Sequence, residues 1–404
     1  MSEPLIFIFL LLAIAVGFAL GRFTGRKGGG RKQNQALWLR QSYFEGLNYL
    51  LNEQPDAAID TFVAALEVNS ETLDTHFALG TLVRRRGEVD RAIRVHQNLL
   101  ARSSLSPHQQ QQAQIELALD YMKSGLLDRA EALFKELLPS DDLSVRAVCL
   151  ERLVEIYRDE NEWERAIEMA EQLCQRKLGR NVAFWRELQA HFSCELCERA
   201  SRQGNWLLAR QWVRKALGFD RDSVRAHLDL AHIEMAQGQF DLAIRALKKI
   251  SAGSTLYISE ALPLIHTCYE QLKRLDAFRR LLEELYEREP SEILLQHLAR
   301  VIFSLDGESA ARAFMAEELP KFSSLTPMSE MLGMVEHQAG CQIDYQSFAP
   351  VLDKMLTRGG AYECRQCGFV GQQLHWCCPG CKSWGSMIAH FASSPVQREP
   401  AVSL

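Results

Sequence analysis

The chain has no surplus of charge of one sign. Its 404 residues hold 46 Lys and Arg against 51 Asp and Glu, a formal net charge of −5, and nucleic-acid binding wants a strongly basic face instead. No dense disulfide framework is present either. Six of the 11 cysteines (Cys149, Cys174, Cys194, Cys197, Cys268 and Cys341) are scattered through helix-patterned sequence, which fits a reducing compartment. Catalytic signatures are missing. There is no G-x-x-x-x-G-K-[ST] phosphate loop, no H-E-x-x-H and no G-x-S-x-G, so nothing points to an enzyme. The alternation that marks strands is absent until about residue 361.

What is present begins with an uncharged run from Pro4 to Gly21, rich in Leu, Ile, Phe, Ala and Val. As a helix it would span roughly 27 Å, close to the ~30 Å of a bilayer's hydrocarbon core. A cleaved signal peptide carries its positive charge before the apolar run. Here Glu3 precedes the run, and Arg22, Arg26, Lys27, Arg31 and Lys32 follow it. Positive flanks stay in the cytoplasm. Residues 1–21 are therefore expected to be a single-pass anchor in the lipid bilayer, N-terminus outside and the rest of the chain inside. Residues 22–36, with Gly28 to Gly30, read as a basic linker.

From about residue 37 the sequence is helical in pattern and repeats itself. A small or apolar residue is followed by Ala twelve positions later: Gly46 and Ala58, Gly80 and Ala92, Ala118 and Ala130, Val154 and Ala166. The series continues with Cys197 and Ala209, Ala231 and Ala243, Ile265 and Ala277, Ala299 and Ala311. Successive alanines lie 34, 38, 36, 43, 34, 34 and 34 residues apart, and about 34 is the tetratricopeptide (TPR) period. Two antiparallel helices per repeat must cross closely, which calls for small residues at the crossing. An apolar residue four positions further on fills the gap to the next repeat: Phe62, Phe134, Ala170, Val213, Leu247, Leu281 and Met315, with His96 in that slot of the second unit. Turn signals fall between the helices at Asn52 to Pro55, Arg86-Gly87-Glu88, Lys123-Ser124-Gly125, Gln203-Gly204-Asn205 and Gln237-Gly238-Gln239. Residues 37–357 thus predict an all-α array of about eight to nine helix pairs wound as a TPR superhelix. Met328 to His337 and Tyr345 to Leu356 would form its closing pair. The Arg84-Arg85-Arg86 run reads as a solvated loop, and the shared face of His191, Cys194 and Cys197 as buried packing rather than a second metal site.

The chemistry lies at the C-terminus. Cys364-Arg-Gln-Cys367-Gly368 and Cys378-Pro-Gly-Cys381 are two C-x2-C knuckles ten residues apart. Such turns aim two thiolates each at one ion, and four close a tetrahedral structural site for iron or zinc. Cys364, Cys367, Cys378 and Cys381 are the expected ligands. Cys378 is preferred to Cys377 because it completes the second C-x2-C, and His375 is the other neighbour within reach. Tyr362, Phe369, Trp376 and Trp384 are expected to pack around the site. Residues 360–390 form this domain, and residues 391–404 a flexible tail.

The combination of anchor, basic flank, repeat array and Tyr362-Glu-Cys364-Arg-Gln-Cys367-Gly368-Phe369 with Trp376-Cys-Cys378-Pro-Gly-Cys381 and Trp384 resembles the lipopolysaccharide assembly protein B family of Gram-negative bacteria. The resemblance spans the whole chain. It implies a rubredoxin-like metal tail packed on the repeats, with the four cysteines as ligands. It also implies an inner-membrane adaptor that presents the lipid A deacetylase to a membrane-bound AAA+ zinc protease, opposed by an inner-membrane lipopolysaccharide-sensing regulator.

Other readings remain beside it. The chain could be a passive scaffold for lipopolysaccharide synthesis and transport proteins, an electron-transfer protein using iron in the tail, or a chaperone-binding TPR module. A homodimer is compatible with the array, although no residue demands one.

Overall fold

A computed structural model describes residues 73–318, apart from 103–104, 176–180 and 254, and residues 361–389, with a few isolated positions at 45, 48, 49, 61 and 321. The expected anchor and linker, the first repeat with its Asn52 to Pro55 turn, the closing helix pair and the C-terminal tail lie outside the described residues. Among the described residues no helix is long and apolar enough to cross a membrane. The chain divides into two compact units, Met1–Ile156 and Tyr157–Leu404.

The first unit contains α1 (Leu73–Arg85), α2 (Val89–Leu100), α3 (Pro107–Lys123), α4 (Leu127–Leu137) and most of α5 (Leu143–Asp159). Helix α3 starts where the sequence asks for it. The Ser106 hydroxyl accepts from the Gln109 amide, the Gln109 side chain reaches back to the Ser106 amide, and Pro107 takes the first helical position. The α1/α2 crossing is closed by His96. Its ring lies so near Gly80 that a Cβ there would come within 2.4 Å of Nε2, so only glycine fits. His96 Nδ1 lies 2.5 Å from Asp120 Oδ2, and both side chains are fully buried. Arg84 completes the cluster, at 2.9 Å from Asp120 and 2.7 Å from Glu116. Arg84 is therefore no solvated loop residue. It lies in the last turn of α1 with its guanidinium folded against α3, because a buried carboxylate needs a cation.

The second unit holds α6 (Trp163–Gln175), α7 (Val182–Arg202), α8 (Trp206–Phe219), α9 (Val224–Ala236), α10 (Phe240–Gly253), a 3₁₀ turn at Thr255–Tyr257, α11 (Ile258–Gln271), α12 (Leu275–Arg288), α13 (Glu292–Asp306) and α14 (Glu308–Glu318). Helices α7 and α8, α9 and α10, α11 and α12, and α13 and α14 are the antiparallel TPR pairs, each packed on the next. Side chains of Asn181, Asn205, Ser223 and Ser291 cap α7, α8, α9 and α13 by accepting from an amide in the first turn.

The second helix of each repeat buries its fourth residue. Ala92, Ala130, Ala166, Ala209, Ala243 and Ala311 all occupy that place, fully buried. The seventh repeat departs from the expected pattern. Its fourth residue is Phe278, which is fully buried, while Ala277 is only partly covered. The crossing partner twelve positions earlier is His266, stacked on Phe278 at 5.3 Å. An aromatic pair replaces two small residues, the gap-filler becomes Leu282 rather than Leu281, and the register moves by one.

Residues 361–389 form a three-stranded antiparallel sheet in the order β2-β1-β3, with β1 Tyr362–Cys364, β2 Val370–Gly371 and β3 Met387–Ala389. Tyr362 faces Gly371 on one side and Ala389 on the other.

Candidate metal centre

The two knuckles are built alike. In the first, the Gly368 amide donates to Cys364 O at 2.9 Å and the Cys364 amide to Phe369 O at 2.8 Å. In the second, the Lys382 amide donates to Cys378 O and the Cys378 amide to Ser383 O, both at 2.8 Å. Each loop closes on a left-handed residue, Gly368 at φ +71° and Lys382 at φ +58°, as a tight turn around a shared ion requires. Gly380 has a different task. A Cβ there would lie 3.3 Å from Cys367 Sγ and 3.4 Å from Phe369 Cβ, so glycine lets the second knuckle approach the first.

These turns bring the Sγ atoms of Cys364, Cys367, Cys378 and Cys381 within 4.8 Å of one another. Cys364 and Cys381 are 3.7 Å apart, as are Cys367 and Cys378. A tetrahedral ion with bonds of about 2.3 Å sets its sulfurs about 3.8 Å apart. The donor set therefore fits one structural ion of the zinc or iron class. Its electrostatics agree. Burial opposes ionisation of Cys364, yet the Ser386 hydroxyl at 3.3 Å and the amides of Cys367 and Gln366 bring its pKa down to about 6. The Phe369 amide favours the Cys367 thiolate, but desolvation and the neighbouring sulfurs outweigh it and push that thiol up to about 12. Four crowded sulfurs do not ionise together without a cation to supply the compensating charge. Cys377 stands outside the group, its Sγ 3.6 Å from Lys382 O, and His375 is exposed and likewise apart.

The expected aromatic packing around the ion divides in two. Tyr362 and Phe369 cover the ribbon's own small core with Leu374, Cys364, Cys378 and Met387. Trp376 and Trp384 instead turn away from it onto the repeats, because the 29-residue ribbon has no interior wide enough for two indoles. Trp384 meets Trp163 and Phe192 edge-on at 6.1 and 5.7 Å and His191 at 5.2 Å. Trp376 stacks on Tyr257 at 5.6 Å. The Arg225 guanidinium lies 5.8 Å from both indoles and holds Glu195 at 2.8 Å. The Tyr257 hydroxyl sits between the carbonyl oxygens of Gly385 and Met387, at 3.1 and 3.0 Å. Tyr362 donates to Glu260, and Lys382 pairs with Asp159 at 3.1 Å.

This seat was hidden in the sequence. His191, Arg225 and Tyr257 come from α7, α9 and the 3₁₀ turn, and no motif joins them. One signal was available. Helix α7 has no polar face through His191-Phe192-Ser193-Cys194, all buried, where a TPR helix usually leaves one side open. Cys194 and Cys197 join the core beneath, with Ala209, Val213 and Ile233. Burial raises both thiols, Cys197 to about 12. His191 is more than packing. Burial, and then the Arg225 charge, draw its pKa down to about 3, so a neutral imidazole faces the indoles.

Comparison with known proteins places these features together. The profile of the rubredoxin metal binding domain matches residues 362–389, and tetratricopeptide repeat profiles match residues 45–107 and 149–181. Lipopolysaccharide assembly protein B of Escherichia coli K12 is 32% identical over 386 residues, covering 95% of this chain and 97% of that protein. The Haemophilus influenzae protein of the same name is 31% identical over 395 residues, with the same shares. Among solved structures, a tetratricopeptide repeat protein from Parabacteroides merdae aligns with 66% of this chain and all of its own, at 15% identity and a TM-score of 0.33. By near full-length similarity, repeats and four-cysteine ribbon alike, the chain belongs to the lipopolysaccharide assembly protein B family.

Proposed function

We propose that this protein is a non-enzymatic inner-membrane adaptor that restrains lipopolysaccharide synthesis by bringing the lipid A deacetylase to a membrane AAA+ zinc protease. The observation that carries the reading is similarity over 95% of the chain to proteins named for lipopolysaccharide assembly. The parts suit the task. TPR pairs offer a surface for a protein segment, and residues 1–21, as a single-pass anchor, would concentrate that surface near membrane partners. An inner-membrane regulator that senses lipopolysaccharide would oppose the adaptor. In this reading residues 37–357 hold partners, while Cys364, Cys367, Cys378 and Cys381 hold the ion. When bound, the ion supplies the ribbon's folding energy and no reaction step. The protein's own residues do the rest, and the Trp376 and Trp384 seat fixes the ribbon on the repeats.

The test is reconstitution. Protease-bearing proteoliposomes are given the deacetylase with and without the full-length chain. Faster loss of the deacetylase in its presence is the expected result. Equal rates would sink the adaptor reading and leave a passive scaffold for synthesis and transport proteins.

A further inference from the structure

The two indoles that dock the ribbon are set by the same turns that hold the cysteines. Trp376 lies two residues before Cys378 and Trp384 three after Cys381, and Trp384 is bridged to Cys377 across the second knuckle. A ribbon of 29 described residues has too little core to hold those turns without its ion. Metal occupancy thus decides whether both indoles are presented together.

The receiving side is built for that pair. Arg225 is 3% exposed and His191 5%, although they sit on helices whose open side would otherwise face water. The guanidinium lies 5.8 Å from each ring, and the Tyr257 hydroxyl reads two ribbon carbonyls. Gly385 bears on the same place. Its φ is +60°, and a Cβ would lie 3.3 Å from both Glu187 and His191. Backbone and aromatic groups of the ribbon therefore meet the seat with no room to spare.

We infer that the ion and the seat form one thermodynamic unit, so that metal occupancy gates the inner surface of α7 and α9 and the seat residues set the metal affinity. Docking free energy is available only to the folded ribbon. By linkage it tightens metal binding by the same factor that metal binding tightens docking. Loss of the ion uncovers His191, Tyr257 and Arg225 with its partner Glu195, and the repeats then present an aromatic surface carrying an ion pair in place of a closed one. The inference rests on the four-cysteine site and is independent of the adaptor reading.

The experiment uses the full-length chain in detergent, loaded with Co²⁺ and titrated with a chelator. Wild type must first bind one Co²⁺ with a four-thiolate spectrum, a control that separates failure of the site assignment from failure of the coupling. Tyr257→Phe keeps the ring and removes one hydrogen bond, far in sequence from the cysteines. It is expected to weaken Co²⁺ binding by roughly twofold to tenfold with an unchanged spectrum. Arg225→Ala should weaken it by about tenfold or more. In the reciprocal arm, stripping metal from wild type should speed amide exchange in α7 and α9 and at Tyr257. Unchanged affinity in both variants with normal helical content, or exchange in α7 and α9 indifferent to metal, would overturn the inference.

Discussion

Asp120 is fully buried, and its two oxygens are taken by Arg84 and His96. Removing it strands both partners inside the first unit. Asp120→Ala is expected to cost about 3–5 kcal/mol, read as a lower urea midpoint, whereas a change near zero would mean the cluster is hydrated. Nothing in the sequence around Arg84 announced this role. A basic run at a turn looks solvated until its partner, 36 residues away, is placed. His191 has a pH signature. Its folded pKa of about 3 lies below the ordinary histidine value of 6.5, so the unfolded state binds the extra proton between those values. The contribution of the neutral imidazole is whole above about 6.5 and is lost as pH falls toward 3. Asp229, raised to about 6 by burial, contributes with the opposite sign. The comparison is therefore wild type minus His191→Gln, measured by urea unfolding at each pH. Wild type should lose its advantage by up to about 1.4 kcal/mol per pH unit below 6.5. A pH-independent difference would refute the neutral, buried imidazole.

At the scale of elements, the turns inside the repeats share one demand. The chain leaves the first helix through a left-handed residue: Gly87, Gly125, Gly204 and Gly238, with Asn161 and Lys273 in the same place in two other repeats. Left-handed backbone costs a residue with a Cβ roughly 1–2 kcal/mol, partly offset by the greater freedom of glycine in the unfolded chain. Gly238→Ala should therefore destabilise by about 1 kcal/mol, and Lys273→Gly should stabilise by about 0.5 kcal/mol, both read from thermal midpoints. The glycine turns were legible because glycine marks them, and those at Asn161 and Lys273 were not. The seventh crossing shows the same limit. The twelve-residue spacing points to Ile265 and Ala277, while the packing uses His266 and Phe278, because two large rings stacked flat fill the gap as well as two small residues approaching closely.

At the scale of the whole molecule, the sequence separated repeat array from metal ribbon because each has a local period: 34 residues for one, paired C-x2-C for the other. The docking seat has none. Its residues lie between Asp159 and Glu260, the ribbon residues they meet lie beyond 361, and only folding brings them together. Metal analysis of the purified chain should return one iron or zinc per molecule, falling toward zero in Cys364→Ser. A full complement in that variant would place the ion elsewhere.

The adaptor reading is tested most directly by the half-life of the lipid A deacetylase, measured in cells depleted of this protein and in cells carrying Cys364→Ser. The account predicts a deacetylase several-fold longer-lived in both, because the adaptor is missing in one and its ribbon unfolded in the other. A half-life unchanged on depletion would contradict it and leave a passive scaffold as the better description.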